Sequence, residues 1–142
     1  MFNNIQIIVA EDDPEDVFIM QMMSKELSFS DTIHFVKDGV YVLDYLEGLH
    51  ENQMPMLIIL DLNMPRLSGT QTLEALKQDE RYKNIPVIIY STFLNEIQMK
   101  ACMKLGAKAY IIKPNTYEEG LKTMQQFHDY SIGSIAYPAM TG

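Results

Sequence analysis

The chain has a single cysteine, Cys102, among its 142 residues, so it forms no intramolecular disulfide and no cysteine-based metal framework. It is short of positive charge: 11 Lys and Arg stand against 19 Asp and Glu, a formal net charge of −8. Affinity for nucleic acid rests largely on neutralising phosphates with Lys and Arg, so this balance argues against a duplex-binding surface. Long apolar runs are missing too. The first run, residues 5–10, is too brief for a signal-peptide core and ends in acids; none approaches a membrane span. The cytoplasm is the expected compartment. No repeat, low-complexity tract or linker interrupts the chain, which predicts one domain over 1–142. Its core is expected over about 5–130, with a loosely ordered tail over 131–142.

The chain that remains is 47% hydrophobic and 21% charged, a composition that builds one core and does not stay disordered. Strand-like and helix-like segments alternate from end to end. Residues 5–10, 32–36, 56–60, 85–90 and 108–112 read as strands from their apolar, β-branched runs. Residues 14–27 read as a helix with Val17, Met20, Ser24 and Leu27 on one stripe. Asp38 caps a second helix that carries Val40, Leu43 and Leu46 inward. A third spans 69–78, with Leu73 and Leu76 inward. A fourth spans 95–105 and stops at Gly106, the usual C-terminal glycine. Thr116-Tyr117-Glu118-Glu119 reads as a capping box that opens the last. Five strands interleaved with five helices predict an α/β fold: a doubly wound, five-stranded parallel sheet with helices on both faces.

The chemistry-bearing residues fall at strand ends. The run 56–60 gives way to Asp61, the first gives way to Glu11-Asp12-Asp13, the fourth to Ser91-Thr92 and the fifth to Lys113-Pro114. Open α/β sheets place their ligands at the C-terminal edge of the strands. Asp13, Glu15 and Asp16 are accounted for as a helix cap and solvated first-turn acids around Pro14. Glu11 and Asp12 are not. With Asp61 they make three hard oxygen donors within reach of one point, a set that suits Mg²⁺; the alternative is a solvated acidic rim. Lys113 is either a surface lysine or a counter-ion to those acids, able to contact a phosphate on Asp61. Ser91 and Thr92 are either ordinary strand-end hydroxyls or donors to the same phosphate. His34, His50 and His128 have no nucleophile beside them and read as structural. Cys102, beside Met99 and Met103, reads as packing.

Four stretches together resemble the receiver domain of bacterial two-component response regulators, the CheY-like family. They are Ile7-Ile8-Val9-Ala10-Glu11-Asp12-Asp13-Pro14, then Leu60-Asp61-Leu62-Asn63-Met64-Pro65 with Gly69, then Pro86-Val87-Ile88-Ile89-Tyr90-Ser91, and Gly106-Ala107 leading to Tyr110-Ile111-Ile112-Lys113-Pro114. The resemblance covers about 5–130, and the stretch from Leu60 to Gly69 is also similar to single-domain regulators paired with phytochrome-type kinases. It implies the flavodoxin-like strand order 2-1-3-4-5. It implies that Asp61 accepts a phosphoryl group from a sensor histidine kinase or a histidine phosphotransfer protein. Mg²⁺ (or Mn²⁺) would be held by Asp12 and Asp61, by the backbone carbonyl of Asn63, and by Glu11 through water. Ser91 and Tyr110 take the places of the switch hydroxyl and switch aromatic, and Lys113 that of the lysine on the phosphoryl group. The Lys113–Pro114 bond is often cis in such domains. Glu11 departs from the commoner aspartate. Thr92 departs from the usual small residue, which bears on how long the phosphoryl group lasts.

The output is expected to be protein contact through the face of the fourth helix, fifth strand and fifth helix. Phe93, Leu94 and Met99 there are either packing or a patch for an output protein or a homodimer. Three other readings are weaker. An aspartyl-phosphate hydrolase needs an acid two residues after its nucleophile, where this chain has Asn63, so a conventional enzyme is not expected. A receiver-like module that is never phosphorylated would have no need of Asp61, Asp12, Glu11, Ser91 and Lys113 together. A flavodoxin-type nucleotide binder would be repelled by Glu11-Asp12-Asp13.

Overall fold

The computed structural model describes residues 4–137. Five strands form one parallel sheet: β1 (Ile7–Ala10), β2 (Ile33–Val36), β3 (Leu57–Leu60), β4 (Val87–Ser91) and β5 (Ala109–Ile112). Their order is β2-β1-β3-β4-β5, so the chain reverses direction across the sheet between β1 and β3. The helices are α1 (Pro14–Glu26), α2 (Gly39–Glu47), α3 (Gly69–Gln78), α4 (Glu96–Leu105) and α5 (Tyr117–Ser131).

Successive strand residues point to opposite faces, and both faces are covered. Ile8, Ala10, Ile58, Leu60, Val87 and Ile89 join Val42 and Leu46 of α2, Leu73 and Leu76 of α3, and Cys102 of α4 in one core. Ile7, Val9, Leu57, Ile59, Ile88 and Tyr90 join Met20 and Met23 of α1 and Met124 and Phe127 of α5 in the other. This is the predicted doubly wound sheet.

Local details depart from the sequence reading. The buried stripe of α2 is Gly39, Val42 and Leu46, with Val40 only half-buried. Its rotation follows from Gly39, where a Cβ would collide with the Thr72 side chain of α3; only glycine lets the helices meet there. At α5 the expected capping box is half formed. Thr116 Oγ1 accepts from the Glu119 amide at 3.1 Å, but the Glu119 carboxylate turns toward Lys122 at 4.0 Å. The reciprocal box sits instead on α3, between Ser68 and Gln71. Every peptide bond among the described residues is trans, Lys113–Pro114 included, against the cis geometry the resemblance implied. The tail is less loose than expected: Ser131 is buried in α5, and Tyr137 returns to stack on Tyr130 at 4.9 Å. The rest of that tail, 138–142, lies outside the described residues.

Candidate functional site

The parallel register brings the strand ends into line. The Asp61 amide donates to the Ala10 carbonyl at 3.1 Å, which seats Asp61 beside Glu11, and the Lys113 amide donates to the Ser91 carbonyl at 2.7 Å. Asp61 is 8% exposed, Glu11 and Ser91 3% each. Gly69, the first residue of α3, packs on the Asp61–Leu62 backbone so closely that a Cβ there would collide with the Asp61 carbonyl oxygen. The loop after the strand is thereby pressed back over its carboxylate.

The Lys113 ammonium stands at the centre. It donates to Glu11 Oε1 at 2.5 Å and to Asp16 Oδ2 at 2.9 Å, and lies 3.5 Å from Asp61 Oδ2. Burial works against this ammonium, yet the bonds to Glu11 and Asp16 and the charges of Glu11 and Asp61 outweigh it and raise its pKa. Glu11 is pushed up to about 7, first by burial and then by hydrogen bonding to the Asp61 carboxylate; Lys113 opposes the shift. Three carboxylates thus face one ammonium. Two main-chain amides add to the site: Asp13 N–H donates to Glu11 Oε2 at 3.2 Å and Asn63 N–H to Asp61 Oδ1 at 3.3 Å.

Not every expected partner converges. Among the described residues no three His, Cys, Asp or Glu side chains are grouped as a metal site would need. Asp12 is exposed at the strand end, while Glu11 and Asp61 are buried together, so the three donors do not yet meet at one point. The ammonium among the buried pair explains why: it supplies the neutralising charge that would otherwise have to come from a cation. The donor chemistry still fits a hard divalent ion. The donors are oxygens only, and two of them, Glu11 and Asp61, are buried together.

Asp16 is the residue that the sequence reading placed wrongly, as a solvated acid. Its place in the first turn of α1 gave no signal, since Glu15 beside it is an equal first-turn acid; the contact with Lys113 marks it out. On the far side of the sheet edge, Ser91 and Tyr110 are joined through one residue. The Phe93 amide donates to Ser91 Oγ at 3.4 Å, and Tyr110 Oη donates to the Phe93 carbonyl at 2.8 Å. Tyr110 is thereby held inward, 7% exposed, while Thr92 is exposed. Phe93, Leu94, Ile97 and Ile112 are exposed around α4 and β5, whereas Met99 packs on the core.

The family model of the response regulator receiver domain matches residues 7–125. Response regulator Rcp1 of Synechocystis sp. is 29% identical over 136 residues, covering 94% of this chain and 92% of Rcp1. A probable methanogenesis regulatory protein, FilR2 of Methanothrix harundinacea, is 28% identical over 130 residues, covering 89% of this chain and 83% of FilR2. Among solved structures, the Mn(2+)-bound form of Rcp1 superposes with a TM-score of 0.75 at 28% identity, over 94% of this chain and 98% of that one. The phosphorylated cyanobacterial phytochrome response regulator RcpA superposes with a TM-score of 0.80 at 26% identity, with the same coverages. The chain belongs to the response regulator receiver domain family.

Proposed function

We propose that the protein is a phosphorylatable signalling switch that receives a phosphoryl group on Asp61 from a histidine kinase or a histidine phosphotransfer protein. The observation that carries this reading is the Lys113 ammonium held 3.5 Å from a buried Asp61 carboxylate at the sheet's C-terminal edge. Phosphoryl transfer asks little covalent chemistry of a protein beyond an in-line nucleophile and positive charge on the equatorial oxygens. Asp61 Oδ1 or Oδ2 is the nucleophile, and Lys113 clamps an equatorial oxygen. Asp12, Asp61, the Asn63 backbone carbonyl and, through water, Glu11 would hold a Mg²⁺ or Mn²⁺ ion. When bound, that ion neutralises charge on the transferred group. Thr92 is exposed next to Ser91, where its bulk would slow the access of water to the acyl phosphate.

The output follows from Ser91. A phosphoryl oxygen attracts its hydroxyl, which withdraws the acceptor of the Phe93 amide and shifts the 91–95 loop. Tyr110, bonded to the same Phe93, carries that shift to the face of α4, β5 and α5, where Phe93, Leu94, Ile97 and Ile112 offer an apolar surface to a protein partner. The chain is then a switch and not a conventional enzyme, acting chemically only on its own Asp61. Incubation with acetyl phosphate, or with beryllofluoride, and Mg²⁺ is the test. Wild type is expected to take up one phosphoryl group or its mimic, and Asp61→Asn none. Failure of wild type with both reagents and with a histidine-kinase donor would sink the reading.

A further inference from the structure

An ammonium has three N–H donors, and those of Lys113 face Glu11, Asp16 and Asp61. A phosphoryl group on Asp61 would draw the ammonium from its 3.5 Å separation toward that side, so a shorter contact, to Glu11 or to Asp16, must lengthen. The two acceptors differ in what that costs. The Glu11 side chain is 2% exposed, and losing its cation would leave a buried, unpaired carboxylate. The Asp16 side chain is 35% exposed and is rehydrated at once when released. Asp16 also lies on the side where the ammonium has room. It lines, with Lys113, Tyr90 and Tyr117, an open cleft of about 250 Å³ between α1 and α5. The ammonium rests nearer to Asp16, at 2.9 Å, than to Asp61, at 3.5 Å.

We infer that Asp16 is a positioning residue that competes with the phosphoryl group for Lys113. It holds the ammonium part-way out of the site at rest and gives it up when Asp61 is phosphorylated. The inference rests on Asp61 as phosphoacceptor and adds to it a second carboxylate that weakens the phosphorylated state. No proton moves in the exchange: one N–H···O bond passes from the Asp16 carboxylate to a phosphoryl oxygen.

The test compares wild type with Asp16→Asn, Asp16→Ala, Asp16→Glu and Glu15→Gln, titrating each with beryllofluoride at saturating Mg²⁺. Glu15 is a neighbouring exposed acid that is not among the three carboxylates on Lys113, so its substitution removes the same charge without the bond. The expected result is a half-saturating beryllofluoride concentration about threefold lower in Asp16→Asn and Asp16→Ala than in Glu15→Gln, the scale of one partly exposed ion pair. Asp16→Glu is expected to return it toward wild type. Without metal or fluoride, the Lys113 side-chain ¹⁵N resonance should move in Asp16→Ala and stay in Glu15→Gln. Asp16 variants that titrate like Glu15→Gln and leave that resonance in place overturn the inference while Asp61 still reacts. A wild type that takes up no beryllofluoride overturns the phosphoacceptor reading and this inference with it.

Discussion

Arg66 holds Asp38 with two nitrogens, Nε at 2.9 Å from Oδ2 and Nη2 at 3.2 Å from Oδ1. The same Asp38 carboxylate caps α2, accepting from the Tyr41 amide at 3.1 Å, and is 2% exposed. Arg66 reaches it from the loop that follows Asp61, with a left-handed backbone at φ 60° and its guanidinium 4.8 Å over the Tyr41 ring. A non-glycine residue adopts that conformation only where its surroundings hold it, and here the fork onto Asp38 does so. The clamp thus fixes the loop whose Asn63 amide donates to Asp61.

Asp38→Ala removes a helix cap and the buried acceptor of a bidentate pair. It is expected to cost about 1 to 2 kcal/mol in denaturant unfolding at neutral pH. Burial alone would raise the Asp38 pKa, but the hydrogen bonds from Arg66 and the Tyr41 amide reverse that and lower it. A carboxylate with a folded pKa below its unfolded one contributes its full stability above the ordinary aspartate range. It loses that contribution as the pH falls through the depressed folded value. Wild type and Asp38→Ala should therefore converge in stability under acid. A gap that stays constant down to the acid transition would count against the clamp.

Tyr110→Phe deletes one donor, the hydroxyl on the Phe93 carbonyl, and leaves the ring in the core. The loss should be small in stability, about 0.5 to 1 kcal/mol. It should be larger in dynamics, because Phe93 is then held by the weak 3.4 Å bond from its amide to Ser91 Oγ. Faster hydrogen exchange at the amides of this loop, with no change in the β4 amides, is the expected signature. Uniform exchange rates across both would break the link drawn between the hydroxyl and the aromatic ring.

The alternation of apolar runs made the sheet legible in the sequence, because parallel strands buried on both faces need continuous apolar runs and βαβ connections need helices between them. Asp61, Glu11, Ser91 and Lys113 were legible as strand ends for the same reason: the register that pairs Ala10 with Leu60 carries the next residues to one edge. What escaped depends on rotation and reach. The inward stripe of α2 turns on how closely Gly39 approaches Thr72, a contact between helices that helical periodicity does not encode. Arg66 and Asp38 lie 28 residues apart, with no local pattern that joins them. Asp16 looked like any first-turn acid, since helix electrostatics alone account for its residue type; only the side chain's reach across to Lys113 marks it out.

Phe93, Leu94, Ile97 and Ile112 are 73%, 58%, 83% and 41% exposed, so hydrophilic substitutions there forfeit little burial. Phe93→Ser with Ile97→Lys should leave unfolding stability within about 0.5 kcal/mol of wild type. Uptake of beryllofluoride at Asp61 should be retained, because neither side chain contributes to the Lys113 cluster. Association driven by this patch should fall, read as a loss of concentration-dependent sedimentation in the beryllofluoride-bound protein. A variant that unfolds would show instead that these side chains belong to the packing.

Lys113→Ala separates the roles of the ammonium and of a divalent ion. Lys113 neutralises Glu11 and Asp61, and an ion held by the proposed ligands would compete for the same electrostatic task. Without Lys113 the buried carboxylates keep their desolvation cost and lose their counter-charge, and the chelator-treated variant should unfold earlier than chelator-treated wild type. Mg²⁺ then meets less opposing charge, so its apparent affinity should rise by severalfold. Ligand linkage makes the effect measurable in melts: an ion at ten times its dissociation constant stabilises by about 1.4 kcal/mol. The gain in melting temperature on adding a fixed, sub-saturating Mg²⁺ concentration should therefore be larger in Lys113→Ala than in wild type. An equal or smaller gain would mean that the lysine and the ion do not share those carboxylates.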